Sequence, residues 1–142
     1  MRFRTPCLTA AQQYFLLRNS PISVGYGGLR RENLHWTFDA APTPLGRTYT
    51  IRIAYRERDR PDVRCIAPDL VALAGGRKLP HVYPGSPPKL CLYLPGSGEW
   101  TTSKAIARTI VPWTYEWLHY FEDWLATDVW SGGGHEPRAD AA

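Results

Sequence analysis

Hydrophobic and polar side chains alternate through three consecutive stretches of the chain. Residues Asn33 to Asp39 set Leu34, Trp36 and Phe38 on one side and His35, Thr37 and Asp39 on the other, the period of two that marks a half-buried strand. Arg47 to Tyr55 repeats the pattern, with Tyr49, Ile51, Ile53 and Tyr55 opposite Thr48, Thr50, Arg52 and Ala54. The intervening turn holds Pro42, Pro44 and Gly46, so the two runs predict an antiparallel hairpin. Val63 to Ala67 predicts a third strand with Val63, Cys65 and Ala67 on one face, ended by Pro68.

Elsewhere the period lengthens. Ala10, Ala11, Tyr14, Phe15, Leu16 and Leu17 predict a helix from Thr9 to Asn19, capped by Thr9 and stopped before Pro21. Ser20 to Leu29 carries Pro21, Gly25, Gly27 and Gly28 and predicts an irregular crossing, and Asp69 to Leu79 a connecting segment. Lys89 to Leu94 is a short apolar run closed by Pro95-Gly96, read as a fourth strand. Ser103 predicts the cap of a helix carrying Ala105, Ile106, Ile110 and Val111, which Pro112 interrupts. From Trp113 to Ala126, Trp113, Trp117, Leu118, Phe121, Trp124 and Leu125 recur at helical spacing, with Glu116, Glu122 and Asp123 off the stripe, which reads as core packing. Residues 1–130 therefore predict one α+β domain, with an N-terminal helix, a four-stranded antiparallel meander and C-terminal helices. Residues 131–142 predict a flexible Gly-rich tail.

With 142 residues, 44% of them hydrophobic, the chain can bury a core of its own. Six tryptophans, eight tyrosines and four phenylalanines point to a core or a partner surface built of large flat side chains. No long apolar span or signal-like segment occurs, so a cytoplasmic protein with no membrane partner is expected. Cys7, Cys65 and Cys91 lack paired spacing, which supports neither a disulfide framework nor a metal site, and no cofactor is expected. The net charge of +4 is carried by Arg52, Arg56, Arg58, Arg60 and Arg64 in particular. Glu57, Asp59 and Asp62 interleave with them, so a salt-bridged exposed turn is expected rather than a nucleic-acid surface. Nucleic-acid binding would have to show itself as an affinity that falls steeply with salt.

Candidate chemistry gathers between His81 and Trp100. Pro84, Pro87 and Pro88 make the approach a surface loop, and Cys91 follows where that loop meets the apolar run, a position where a thiol could stand exposed at the rim. A free cysteine in an apolar run is commonly a small core hydrophobe. Reactive thiolates occupy partly exposed sites beside a base or cation, and His81 and Lys89 are the local candidates.

The element order resembles that of the ubiquitin-conjugating-enzyme fold across about residues 9 to 126, and the local residues match where that family keeps its chemistry. His81 resembles the histidine of the family's His-Pro-Asn motif, and Leu90-Cys91-Leu92 resembles the segment around its active-site cysteine. Trp100 resembles the tryptophan that follows. Tyr83 stands where the asparagine is expected, so its hydroxyl or nearby backbone donors would have to stabilise an oxyanion. Pro112-Trp113, Glu116-Trp117-Leu118, Phe121 to Thr127, Trp130 and Gly132 to His135 resemble the stand-alone conjugating-enzyme-like proteins of type II CBASS antiphage operons.

That resemblance implies a cysteine-dependent conjugating enzyme. Cys91 would take the C-terminus of a cGAS-like nucleotidyltransferase as a thioester and transfer it to a target protein amine. His81 and Tyr83 would assist, and Tyr93 and Trp100 would contact the partner. Glu99 and Asp128 are candidates to accept the amine's proton, although solvated carboxylates are the ordinary reading of both. The rival reading is a non-catalytic module of the same fold that only holds the nucleotidyltransferase tail. Leu90-Cys91-Leu92 favours the enzyme, and the missing asparagine favours the module.

Overall fold

The computed structural model describes residues 5–134 and 136–137. Thr9 opens helix α1 (Ala10–Arg18) through a capping box, with its hydroxyl accepting the Gln12 N–H while the Gln12 side chain accepts the Thr9 N–H. Ala10, Gln13 and Leu17 form its buried face, whereas Phe15, expected on the apolar side, is exposed. Gln13 is buried because both ends of its amide are used. It donates to the Lys104 carbonyl and accepts the Ile106 N–H, each at 2.9 Å.

Six antiparallel strands follow among the described residues, two more than the four expected from the sequence. They are β1 (Gly25–Arg30), β2 (Asn33–Ala40), β3 (Tyr49–Arg56), β4 (Asp62–Ala67), β5 (Val82–Tyr83) and β6 (Lys89–Leu90), in the order β1-β2-β3-β4-β6-β5. The first four form the expected meander. The glycine-rich stretch expected to be irregular is β1, its edge strand. A Cβ at Gly25 would lie 1.9 Å from the Thr37 carbonyl oxygen, and one at Gly27 would lie 2.0 Å from that of His35. Glycine is what lets β1 approach β2, and it also erases the alternation that would have announced a strand.

Leu34, Trp36 and Phe38 of β2, the four apolar residues of β3, and Val63 and Cys65 of β4 are buried as the alternation predicts. Ala67, expected on the same face, is exposed. Asp69 caps a short helix α2 (Leu70–Ala74), which Gly75 ends in the left-handed conformation at φ 62°. The fourth expected strand shrinks to Lys89–Leu90, and the Cys91 N–H, one step on in the same register with β5, donates to the His81 carbonyl at 3.0 Å.

At the C-terminal end, one long helix replaces the expected pair. Ser103 caps nothing. Its hydroxyl pairs with that of Thr101, and only a 3₁₀ turn forms at Ile106–Arg108. Helix α3 (Ile110–Thr127) begins before Pro112, which falls in its first turn, where N–H groups have no helical partner to lose. Trp117, Leu118, Phe121 and Trp124 are buried, and Phe121 meets Tyr49 edge-on at 6.1 Å between centroids. Glu122, predicted off the stripe, accepts the Tyr49 hydroxyl and pairs with Arg47 at 2.8 Å, tying α3 to the start of β3.

The arginine-rich turn differs from expectation. Among the described residues only Arg64 of that group forms an ion pair, with Asp62 at 2.9 Å. No described helix is long and apolar enough to cross a membrane.

Candidate functional site

The site is a cleft of about 390 Å³ where the segment after β6 passes α3. Cys91, Leu92 and Tyr93 line one side; Trp113, Glu116, Trp117 and Tyr120 of α3 line another; and Glu99, Trp130 and Gly132 to Gly134 complete it. His81 also lines the cleft and holds its parts together. Its carbonyl accepts both the Cys91 N–H and the Trp117 indole N–H at 3.0 Å, with its own backbone at φ 51°. Its ring stacks on Trp130 at 4.8 Å, and its N–H donates to Glu136 at 2.9 Å.

Cys91 keeps 8% of its surface exposed, so the thiol does not stand out at a rim but lies at the bottom of the cleft. Its Sγ is 3.8 Å from the Tyr83 hydroxyl and from the Tyr93 carbonyl oxygen. Burial pushes the Cys91 thiol above the ordinary cysteine range; the Tyr83 hydrogen bond opposes this, Glu136 and Glu99 add to it, and Lys89 opposes it. Burial likewise pushes the Tyr83 phenol up to about 12, so it remains a proton donor through neutral pH. The Lys89 ammonium lies 4.7 Å from the centre of the Tyr83 ring. The resting site thus pairs a neutral thiol with a phenol that can donate once the sulfur is charged.

A family model described as type II CBASS E2 protein matches residues 13–137. The chain belongs to that family. It is a conjugating-enzyme-like protein of CBASS defence, and the α+β fold with its N-terminal helix, antiparallel sheet and C-terminal helix accords with that membership. No curated protein matches it.

In this CBASS E2 the structure brings Cys91, His81, Tyr83 and Tyr93 together. Tyr93 is half-buried, 6.2 Å from both Trp100 and Trp113 between ring centroids, and it lines the cleft. Trp100, expected to contact a partner, is instead a core residue. It is 7% exposed, donates from its indole to the Thr109 hydroxyl at 3.1 Å and meets Tyr55 edge-on, which leaves little surface for another molecule. Glu99 lines the cleft, whereas Asp128 pairs with Arg77 at 3.4 Å and does not line it.

Four cleft features escaped the sequence reading. Trp117 is buried as expected but also forms a wall, and Glu116 and Tyr120 face the cleft from the same helix. The fourth is the segment after Trp130, expected to be mobile. Gly132 packs so closely on Tyr120 that a Cβ would lie 2.6 Å from its ring, and the Glu136 carboxylate reaches His81 Nε2 at 3.5 Å. His135 and residues 138–142 of that expected tail lie outside the described residues, as do the first four residues of the chain. No group of three or more His, Cys, Asp or Glu among the described residues is arranged to hold a metal ion.

Proposed function

We propose that Cys91 accepts the C-terminal acyl group of a cGAS-like nucleotidyltransferase as a thioester and passes it to an amine of a target protein. The observation that carries this reading is the meeting of Cys91 and His81 at one aromatic cleft, with the Tyr83 hydroxyl 3.8 Å from the Cys91 sulfur, in a chain of the CBASS E2 family. The acyl group must arrive already activated, since a carboxylate is not attacked by a thiolate. The Cys91 thiolate forms the carbon–sulfur bond, and the activating group leaves with the electron pair of the bond it loses. The acceptor amine then attacks the thioester carbon, the carbon–nitrogen bond forms, and the Cys91 thiolate departs.

Tyr83 stands where the family asparagine is expected, and in this scheme its O–H helps to hold negative charge on the Cys91 sulfur. His81 positions Cys91 through its carbonyl, and Tyr93 meets the incoming chain. Glu99 is the cleft carboxylate nearest in sequence to accept the amine's proton. We assign the reaction to the cytoplasm, where thiols such as Cys91 stay reduced.

The test is to combine the protein with the nucleotidyltransferase of its own operon and its activating system, then resolve the mixture with and without a thiol reductant. A reductant-labile adduct is expected with the wild type. It should be absent from Cys91→Ala and replaced by a more stable oxyester in Cys91→Ser. The burial of Cys91 favours a second reading, a module that only binds the nucleotidyltransferase tail. Equal non-covalent affinity of wild type and Cys91→Ala, with no adduct, would establish that reading and overturn the first.

A further inference from the structure

Two carboxylates of the β3–β4 turn, Glu57 and Asp62, are committed within the fold, and its arginines outnumber the one that remains, Asp59. Glu57 accepts the Ala10 N–H at 2.6 Å and so holds the first turn of α1. Asp59 accepts the Arg60 N–H at 2.8 Å, and Asp62 is gripped by the Arg64 guanidinium at 2.9 and 3.1 Å. Arg56, Arg58 and Arg60 are exposed and make no ion pair among the described residues. The β1–β2 turn brings Arg30 and Arg31 to the same end of the sheet, because the Glu57 N–H donates to the Glu32 carbonyl at 2.8 Å. Arg31 and Arg58 both hold positive φ, 55° and 68°, a conformation that residues with a side chain adopt at a cost.

Beside these turns lies an open cavity of about 570 Å³, walled by Asn33, Leu34 and Tyr55 and by five charged residues, Arg56, Arg60 and Lys89 with Asp59 and Asp62. Leu34 and Tyr55 are buried and give it an apolar floor, and at its rim Arg56, Arg60 and Lys89 outnumber Asp59, because Asp62 is paired with Arg64. Lys89 is two residues before Cys91, and the Arg60 charge also acts on the Tyr83 and Tyr93 phenols beside that cysteine.

We propose that this end of the sheet docks an acidic polypeptide segment, whose carboxylates engage the Arg56 and Arg60 guanidinium groups over the cavity. Guanidinium offers two parallel N–H donors to a carboxylate, and Glu57 and Asp62 of the turn already hold partners of their own. A polypeptide suits the surface better than a nucleic acid. Single strands bind through exposed aromatic platforms, and the one aromatic ring lining this cavity, Tyr55, is only 3% exposed. The docking stands whether or not Cys91 carries an acyl group.

The experiment measures anisotropy of a fluorescein-labelled peptide of alternating Glu and Gly on the full chain, at low salt where surface charges are weakly screened. A Gln-Gly peptide and oligothymidylate of matched charge serve as the comparison probes. The acidic peptide should bind and the neutral one should not. Arg56→Glu/Arg60→Glu should weaken binding about tenfold or more, equivalent to about 1.4 kcal/mol. Arg18→Glu/Arg108→Glu makes the same charge change at exposed residues elsewhere and should alter it less than about twofold by comparison. Thermal melts check that both variants fold. Failure of the acidic peptide to bind, or equal loss in the two variants, would overturn the proposal. So would tighter binding of oligothymidylate that is lost in Arg56→Glu/Arg60→Glu, which would make the surface a nucleic-acid site.

Discussion

Cys65 and Cys91 are both buried, and burial pushes both thiols above the ordinary range, yet their surroundings differ. Cys65 lies in β4 opposite Ile51, with its sulfur 3.4 and 3.5 Å from the carbonyl oxygens of Ala67 and Pro68. A thiolate there would face those lone pairs and the charge of Asp69, with only a backbone hydrogen bond at Ala67 in its favour. Cys91 faces a phenol O–H and the charge of Lys89, both of which favour the ionised sulfur against Glu136 and Glu99, and it opens on a cleft. Depth alone therefore does not separate a structural thiol from one suited to chemistry. The groups waiting for its charged form do.

The sharpest test of that contrast is alkylation by iodoacetamide in the native fold, read by peptide mass. Cys65 should react only through global unfolding, so Cys91 should be modified on the order of a hundredfold faster or more. Comparable rates would erase the distinction. Next in size is Trp117→Ala, which removes a side chain shared by the core and the cleft. It should cost about 3 to 5 kcal/mol in urea denaturation, as for other buried aromatics. A fully stable Trp117→Ala variant that loses only partner binding would make the stripe an interface instead.

Folding stability should also depend on pH through Cys65. Its folded thiol is held up to about 12, whereas an unfolded cysteine ionises near ~8.5. The folded state therefore keeps its proton longer. Its contribution is intact below about pH 8.5 and declines as pH rises, by up to about 1.4 kcal/mol per pH unit. Cys65→Ala should flatten the alkaline limb of a plot of urea midpoint against pH, and an unchanged slope would contradict the burial of an ionisable thiol there. The smallest effect expected is that of Tyr83→Phe, which removes the donor that lowers the Cys91 pKa. Alkylation of Cys91 should move to higher pH and slow about two- to tenfold at neutral pH, the worth of one hydrogen bond. Cys65 should be indifferent to it.

The parts of the fold legible in advance are those in which side chains carry the period. Leu34-Trp36-Phe38 and Tyr49-Ile51-Ile53-Tyr55 announce their strands because every second residue is large and buried. β1 went unseen because Gly25, Gly27 and Gly28 pack by having no side chain. Pro112 misled because proline breaks a helix only beyond the first turn, and whether Ile110 belongs to the helix depends on tertiary packing. At the site, the order from His81 to Cys91 was readable. Which way Trp100 turned was not, because a tryptophan at a loop end looks the same whether it faces Thr109 or a partner. Glycines 132–134 read as slack by composition, yet Trp130 on His81 and Glu136 on the His81 N–H hold the segment against the cleft.

Three of the six tryptophans, Trp113, Trp117 and Trp130, line the cleft with Cys91. The chain thus carries its own optical reporter at the place where a bound tail would lie. Any peptide that displaces water from those indoles, or moves Trp130 off the His81 ring, should change the emission of the unlabelled protein. Occupancy of the cleft can then be followed in real time, with no dye on either molecule.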